Sequence, residues 1–521
     1  MHRDAKEIES ETVAFINVGL IAMEVEGVRD AQTVLVSGQR ITAVGSTGTV
    51  EIPAGATVID GTGAYLIPGL ANMHAHLYEY DPDPRHLMLY VANGVTTVRA
   101  LNSRKEIFTW KENVADGTWS GPTIFLSGPA IVGFPDDFRL LALGLKAGVL
   151  LGIILAGMLI FGALLALLAL VDGSELAMDV ARRWIGPWFA LALVVAVFTV
   201  WRKLIPLTAF AARFVPQAAV VETPRQARAA VEKQVRAGVD FIKPYDYLDR
   251  KTYFAALAAA QENDVYTAGH IPEDPQFIRV EEALAAGLKE IAHVDEMTHE
   301  FLIGFDPRDS TRLDWEIAGE RIDEIAATVA KHQAAVTATL VTNETVLLGL
   351  EDMDMLLSKP KYRVVKDEKI QQWREKGRMV NWKGQQTYRR GKLRPLWMQL
   401  TKALHDQGVP VLLGTDSDVE GIIPGVSEHD ELALLVEAGL SPFEALAAGT
   451  RDAAMIAGRM KVDDRWGTIR VGHFADLVLL AANPLQDIAN TRSIIGVMVH
   501  GRWLPKAELD RRAAEYLAVG R

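Results

Sequence analysis

The chain has no cysteine among its 521 residues, which excludes disulfides and thiolate metal ligands and leaves the redox compartment open. It also lacks any block of basic residues beyond short flanks. With 54 Lys and Arg against 66 Asp and Glu the net charge is −12, so no nucleic-acid partner is expected. Met1 to Glu11 is mostly polar and charged, without the basic start and apolar core of a signal peptide, so export directed by these residues is not expected. What is abundant is apolar side chain: 49% of residues, with a mean hydropathy of +0.11, and the excess is concentrated rather than spread. A chain of this length accommodates one large domain and a smaller one, at roughly 100–200 residues per domain.

From Thr12 to Leu66 short apolar runs (Val13–Val18, Thr33–Val36, Ile41–Val44, Val58–Ile59) alternate with turn residues, a pattern of short strands without a long helix. The pattern returns in Gly472–Leu480 and Ile494–Val499. The two chain ends are therefore expected to build one small β-sandwich domain from residues 12–66 and 465–505. Between them strands alternate with helices. Expected strands are Ala71–Leu77, Thr96–Leu101, Thr123–Ser127, Phe241–Tyr245, Tyr266–His270, Glu290–Val294, Ala335–Val341 and Val411–Asp416. Helical patterns cover Pro224–Ala237, Lys251–Asn263, Arg321–His332 and Ser441–Ala457. This alternation predicts an α/β fold, a (β/α)8 TIM barrel over residues 67–138 and 214–464.

Residues 139–213 break the pattern. Ala147 to Val171 runs for about 25 residues without a charge, long enough to span a bilayer, and Trp184 to Trp201 is a second uncharged run. Trp184, Trp188 and Trp201 lie near the ends of the second run, where amphipathic rings favour a membrane interface. The expectation is a multi-pass membrane protein with a two-helix transmembrane hairpin and the lipid bilayer as partner. The bland reading is a buried helical hairpin. Arg139, Lys146, Arg202, Lys203 and Arg213 on the barrel side outnumber Arg182 and Arg183 in the connecting loop, which predicts a cytoplasmic barrel. A hairpin leaving the barrel after its third strand suggests lipophilic substrates entering from the bilayer.

The chemistry-bearing residues stand at the ends of expected strands. His74 and His76 in Asn72-Met-His-Ala-His-Leu77 point the same way on a strand and can reach one ion. Lys243, His270, His293 and Asp416 end four later strands, and parallel strands of a barrel bring their C-termini to one mouth. Singly, each has a plain structural explanation: a satisfied buried histidine, an ion-paired lysine, a helix-capping aspartate. The six together point to a metal centre. Tyr245 and Asn343 face the same pocket by position.

This arrangement resembles the amidohydrolase superfamily, whose signature is His-x-His on strand 1, Lys on strand 4, His on strands 5 and 6, and Asp on strand 8. Gly94-Val-Thr-Thr-Val98, Gly121-Pro-Thr123, Glu431–Gly439 and Gly472-His-Phe-Ala-Asp-Leu477 carry the likeness further, toward the prolidase-like and imidazolonepropionase-like branch. The resemblance implies two divalent ions, with zinc favoured by the donor types. His74, His76, Lys243 and Asp416 would hold one, and Lys243, His270 and His293 the other. It implies a carbon dioxide-derived carbamate on Lys243 bridging both, and Asp416 as the proton-transferring group in hydroxide attack on an amide, or an ester.

The pattern also departs from its relatives. Prolidase-like relatives carry a tyrosine shortly after the strand-5 histidine; here Ile271, Pro272 and Glu273 follow His270, which argues against strict dipeptide cleavage. His270-Ile-Pro-Glu273 has the His-x-x-Glu spacing of mononuclear deaminases, which keeps a deaminase or an imidazolonepropionase-like ring-opening hydrolase as the alternative. A non-catalytic membrane-bound binding module is a third reading, which the full set of six residues disfavours. Leu350–Arg394 reads either as a solvated helical excursion or as a lid. The expected partners are a small-molecule substrate and a second copy in a homo-oligomer.

Overall fold

The computed structural model describes residues 12–133, 218–272, 277–304, 315–376, 388–417 and 419–518, with 151–160 and a few single positions between 163 and 190. The chain opens with β1 (Thr12–Leu20), β2 (Arg29–Ser37), β3 (Arg40–Ser46), β4 (Thr57–Asp60) and β5 (Tyr65–Pro68). The next strands are β6 (Leu70–Ala75), β7 (Val95–Ala100), β8 (Thr123–Leu126) and the short β9 (Ile131–Val132) and β10 (Ala219–Val220). Then follow β11 (Phe241–Ile242), β12 (Tyr266–Gly269), β13 (Glu290–Ile291), β14 (Ala335–Thr337) and β15 (Val411–Leu412). The chain closes with β16 (Leu477–Leu480), β17 (Ile494–Val499), β18 (Arg502–Pro505) and a terminal helix, Lys506–Ala518.

Strands from the two chain ends share one eight-stranded sheet in the order β18-β17-β16-β5-β1-β2-β3, with β4 on β1. Their alternating apolar residues, among them Val13, Phe15, Val34, Leu66, Leu477 and Met498, form a core of their own. The remaining strands are parallel. β6, β7 and β8 pair in sequence, a bridge between Ser127 and Phe241 leads to β11, and β11 through β15 pair in sequence. The Met73 N–H donates to Leu413 O at 2.8 Å and the Asp416 N–H to His74 O at 2.9 Å, joining the last of these strands to the first. The result is an α/β fold of the TIM-barrel type.

Helix boundaries follow local chemistry. Thr223 and Pro224 start the helix Pro224–Arg236, Asp249 caps Arg250–Glu262, and Ser441 with Glu444 forms a capping box on Pro442–Ala448. The helix expected over 441–457 is two, Pro442–Ala448 and Arg451–Arg459. The break lets Gly449 O accept from the Ala71 N–H at 2.7 Å, and a Cβ on Gly449 would meet Leu413 at 2.6 Å. The strand expected over 335–341 stops at Thr337, because Thr339 turns into a left-handed conformation and a helix begins at Leu340.

The membrane expectation is corrected. Most of residues 139–213 lie outside the described residues, and among the described ones no helix is long and apolar enough to cross a membrane. The multi-pass assignment, the bilayer partner and the cytoplasmic placement deduced from it are withdrawn, and the membrane-bound binding module goes with them. An uncharged run measures apolar content alone and does not establish a spanning helix.

Where it is described, Leu350–Arg394 is largely helical and half-exposed, with one face docked. Tyr362 and Trp373 are buried in a cluster with Tyr80, Leu89, Ile423 and Tyr516, and Tyr362 Oη donates to Gly421 O at 3.1 Å. The segment thus docks on the loops that follow β6 and β15.

Candidate metal centre

The loops beyond the parallel strands bring the expected residues into one buried cluster. His74, at the end of β6, is fully buried with Nδ1 3.1 Å from Ala292 O. A carbonyl can only accept, so Nδ1 carries the proton and Nε2 the lone pair. That Nε2 has no hydrogen-bond partner among the described residues and lies 3.5 Å from Asp416 Oδ1. His76 Nε2 is 3.1 Å from the same oxygen. Donor atoms of His74, His293 and Asp416 all lie within 4.8 Å of one another. Thr339 Oγ1 holds His293 through Nδ1 at 2.7 Å.

His270 forms the other side. Its Nδ1 is 3.0 Å from Asp246 Oδ1 and 3.0 Å from Glu296 Oε1, while Nε2 is buried without a hydrogen-bond partner among the described residues. Its ring lies 4.9 Å from that of His293 and 4.0 Å from that of Tyr245, centroid to centroid. Lys243 is 1% exposed, with Nζ 4.8 Å from the Tyr245 ring centroid. Asn343 is buried nearby and donates its Nδ2 to Asp295 Oδ1 at 3.0 Å.

Burial lowers His74 well below the ordinary imidazole range and His293 to about 4, so both are neutral and able to ligate. Burial opposes charge on His270 as well, yet the carboxylates of Glu296 and Asp246 hold it up at about 10. A divalent ion would compete with the Nε2 proton for the same lone pair. Burial also opposes charge on Asp416, but the His76 hydrogen bond, foremost, keeps it well below the usual carboxylate range, hence ionised.

The backbone here is specialised. Asp416 and Thr339 have φ values of 51° and 50°, a left-handed conformation that is costly for a non-glycine residue and most of all for a β-branched one. Two glycines allow close approach: a Cβ on Gly414 would meet Thr337 at 2.3 Å and His74 at 2.9 Å, and one on Gly269 would meet Pro244 O at 2.1 Å.

Sequence reasoning missed Asp246, Glu296 and Thr339. A signal was available for the first two, since each stands three residues after an expected ligand, Lys243 or His293. The His-x-x-Glu spacing sought at His270 recurs in His293-Val-Asp-Glu296, and there the carboxylate reaches His270 rather than His293. Glu273, on which the deaminase alternative turned, lies outside the described residues.

The donor set suits a divalent cation: the neutral imidazoles of His74 and His293, an ionised carboxylate, and two buried Nε2 atoms, of His74 and His270, that the described residues leave unengaged. Over residues 180–504 the chain matches the amidohydrolase family. No curated protein matches it by sequence. Among solved structures it is similar to a Xaa-Pro dipeptidase with methionine bound in the active site (17% identity, 95% of this chain and 100% of that one, TM-score 0.60). It is also similar to AH, the bottromycin amidohydrolase (21% identity, 98% and 90% coverage, TM-score 0.63). A third likeness is to ochratoxinase of A. niger (17% identity, 95% of each chain, TM-score 0.59). At these identities the structures speak for a shared fold. The family match covers more than half of the sequence, and the chain therefore belongs to the amidohydrolase family, hydrolases that act on carbon–nitrogen bonds.

Proposed function

We propose that the chain cleaves an amide-type carbon–nitrogen bond, with His74, His76, Lys243, His270, His293 and Asp416 holding two divalent ions, zinc by preference. The observation that carries this reading is the convergence of His74, His293 and Asp416 donor atoms within 4.8 Å, with the unengaged Nε2 of His270 alongside. By the family resemblance, His74, His76, Asp416 and Lys243 serve one ion, and Lys243, His270 and His293 the other.

Lys243 can take part as a ligand only as a neutral amine, because an ammonium has no lone pair. The neutral amine adds carbon dioxide: a nitrogen–carbon bond forms, one proton leaves, and a carbamate stands where the ammonium was. Divalent ions, when bound, polarise a carbonyl and bring the pKa of water toward ~7. The ionised Asp416 accepts a proton from the attacking water and returns it to the leaving nitrogen. Its contact with His76 orients it for that exchange. Tyr245, against the His270 ring, offers the substrate an aromatic surface. Asn343, held by Asp295 through its Nδ2, lines the same pocket in this reading.

The names of the similar structures, a Xaa-Pro dipeptidase and a bottromycin amidohydrolase, favour a peptide-like amide. Ile271 and Pro272 stand where relatives place a tyrosine, so strict dipeptides are not the expected substrates.

The test is metal content per chain by elemental mass spectrometry, paired with hydrolysis of a panel of N-acyl amino acids and peptide amides. Two ions in the wild type, falling toward one in Lys243→Ala, are expected. One ion unaffected by that substitution overturns the binuclear reading, and none overturns the metal reading.

A further inference from the structure

The helix Val426–Glu437 follows Asp416 in sequence and turns the polar side chains of Ser427, Glu428, His429 and Glu431 inward. Ser427 accepts from the Ile423 N–H at 2.8 Å through Oγ, and His429 contacts Thr491 Oγ1 at 2.8 Å and Asn93 O at 3.1 Å. These two anchor the helix. The two buried glutamates at 428 and 431, one turn apart on the same face, reach toward the strand-end cluster instead.

Glu428 Oε1 accepts from Asn72 Nδ2 at 2.7 Å. The same Nδ2 donates to Thr415 Oγ1 at 2.8 Å, and Asn72 Oδ1 accepts from the His74 N–H at 2.9 Å and from the Thr415 N–H at 3.3 Å. A primary amide has two donors and an oxygen with two lone pairs, so all four are used, in a site with no exposure. Two of the four contacts go to Thr415, the neighbour of Asp416, and one to the backbone of His74. Glu431 acts on the opposite side: its oxygens accept from the Leu340 N–H at 3.0 Å and the Val341 N–H at 2.6 Å, directly after the strained Thr339 that holds His293.

We infer that Asn72 and Glu428 are positioning residues that fix the spacing between His74 and Asp416, so that the two arrive preformed for a divalent ion. An amide facing a carboxyl group satisfies this junction. Of the residues close to asparagine in size, aspartate would set two carboxyl groups against each other, and leucine would remove all four contacts at once. The inference rests on the metal reading above, since it assigns these residues their role toward the same centre. Groups that orient metal ligands from behind typically change affinity by about 10- to 100-fold when altered.

The test is a zinc competition titration of the chelated full-length protein against a chromogenic chelator, with circular dichroism of each variant. Asn72→Asp is expected to weaken zinc binding by about 10- to 100-fold. Adding Glu428→Gln to it restores an amide facing a carboxylate with the roles exchanged, and is expected to recover most of the loss. Wild-type affinity in Asn72→Asp, or no recovery in the double variant, overturns the inference. If Asn72→Asp does not fold, Glu428→Leu carries the same test: a loss of about tenfold supports it and an unchanged affinity overturns it. Wild-type protein that takes up no zinc would instead overturn the metal reading, which separates the two failures.

Discussion

Two buried polar layers lie next to each other in the parallel-strand domain, and they differ in whether the protein completes them. In the lower layer Arg99 of β7 meets Glu290 of β13, both without exposure. Arg99 Nη1 donates to Glu290 Oε2 at 2.7 Å, Arg99 Nε donates to Met73 O at 2.7 Å, and Thr337 Oγ1 donates to Glu290 Oε1 at 2.6 Å. One residue beyond Met73 the upper layer begins with His74, whose Nε2 no described hydrogen-bonding group engages. Histidines show the same contrast. Both ring nitrogens of His429 are partnered, whereas His74 and His270 each keep a buried Nε2 open. A buried polar group that the fold completes is structural, and one that the fold leaves open beside other donors points to a ligand. The second condition matters. His86 also has an unpartnered Nε2, but it sits among the rings of Tyr80, Tyr90, Trp110 and Tyr516, and it belongs to neither group of candidate ligands among the described residues.

The largest expected effect breaks the open layer. Asp416→Asn should lower amide hydrolysis by about 10³- to 10⁴-fold while the circular dichroism spectrum stays unchanged, the size of loss that removing a proton-transferring group produces. Retained turnover at a tenth of wild type would remove Asp416 from the mechanism.

Next comes the closed layer. Arg99→Met should destabilise the protein by about 3–5 kcal/mol in urea unfolding, because it strands a buried carboxylate. Arg99→Met with Glu290→Leu should cost clearly less than the single change. Equal costs would mean that packing, rather than the unpaired charge, dominates that layer.

Chelation probes the open layer from the other direction. Metal-free protein should unfold at lower urea than the loaded form, and zinc at a hundredfold excess over its dissociation constant should restore about 2.7 kcal/mol. Lys243→Ala should recover less. A midpoint indifferent to metal would place the open nitrogens with His86.

The smallest effect concerns a completed histidine. Burial holds His429 down at about 3 in the fold, against an ordinary value of about 6.5 in the unfolded chain. Its contribution is therefore fully present above about pH 6.5 and is lost as the pH falls toward 3. Between pH 7.5 and 5.5 its share of the loss should be about 1.4 kcal/mol in metal-free protein, and His429→Gln should reduce the slope by that share while the other buried histidines keep theirs.

Much of the fold was legible because its signals are local. The expected strand Thr123–Ser127 is observed as Thr123–Leu126, and the helix expected over Pro224–Ala237 is observed as Pro224–Arg236, since alternation, caps and prolines act within a few residues. Local signals failed where a distant contact intervened. The helix break at Gly449 is set by β6 and Leu413, and the early end of β14 by the turn at Thr339. Hydropathy likewise predicted a membrane crossing in a region where the described residues contain no spanning helix.

The sequence by itself determined the family, and it put six candidate residues at the ends of expected strands, because parallel strands place their C-terminal residues together wherever those strands lie in the chain. Only the tertiary structure decided that Glu296 orients His270, that Asn72 meets Glu428 across 356 positions, and which buried nitrogens the fold leaves open. Such pairings depend on the path of the whole chain, and hydrogen-bond satisfaction is a property of the completed neighbourhood rather than of any one segment.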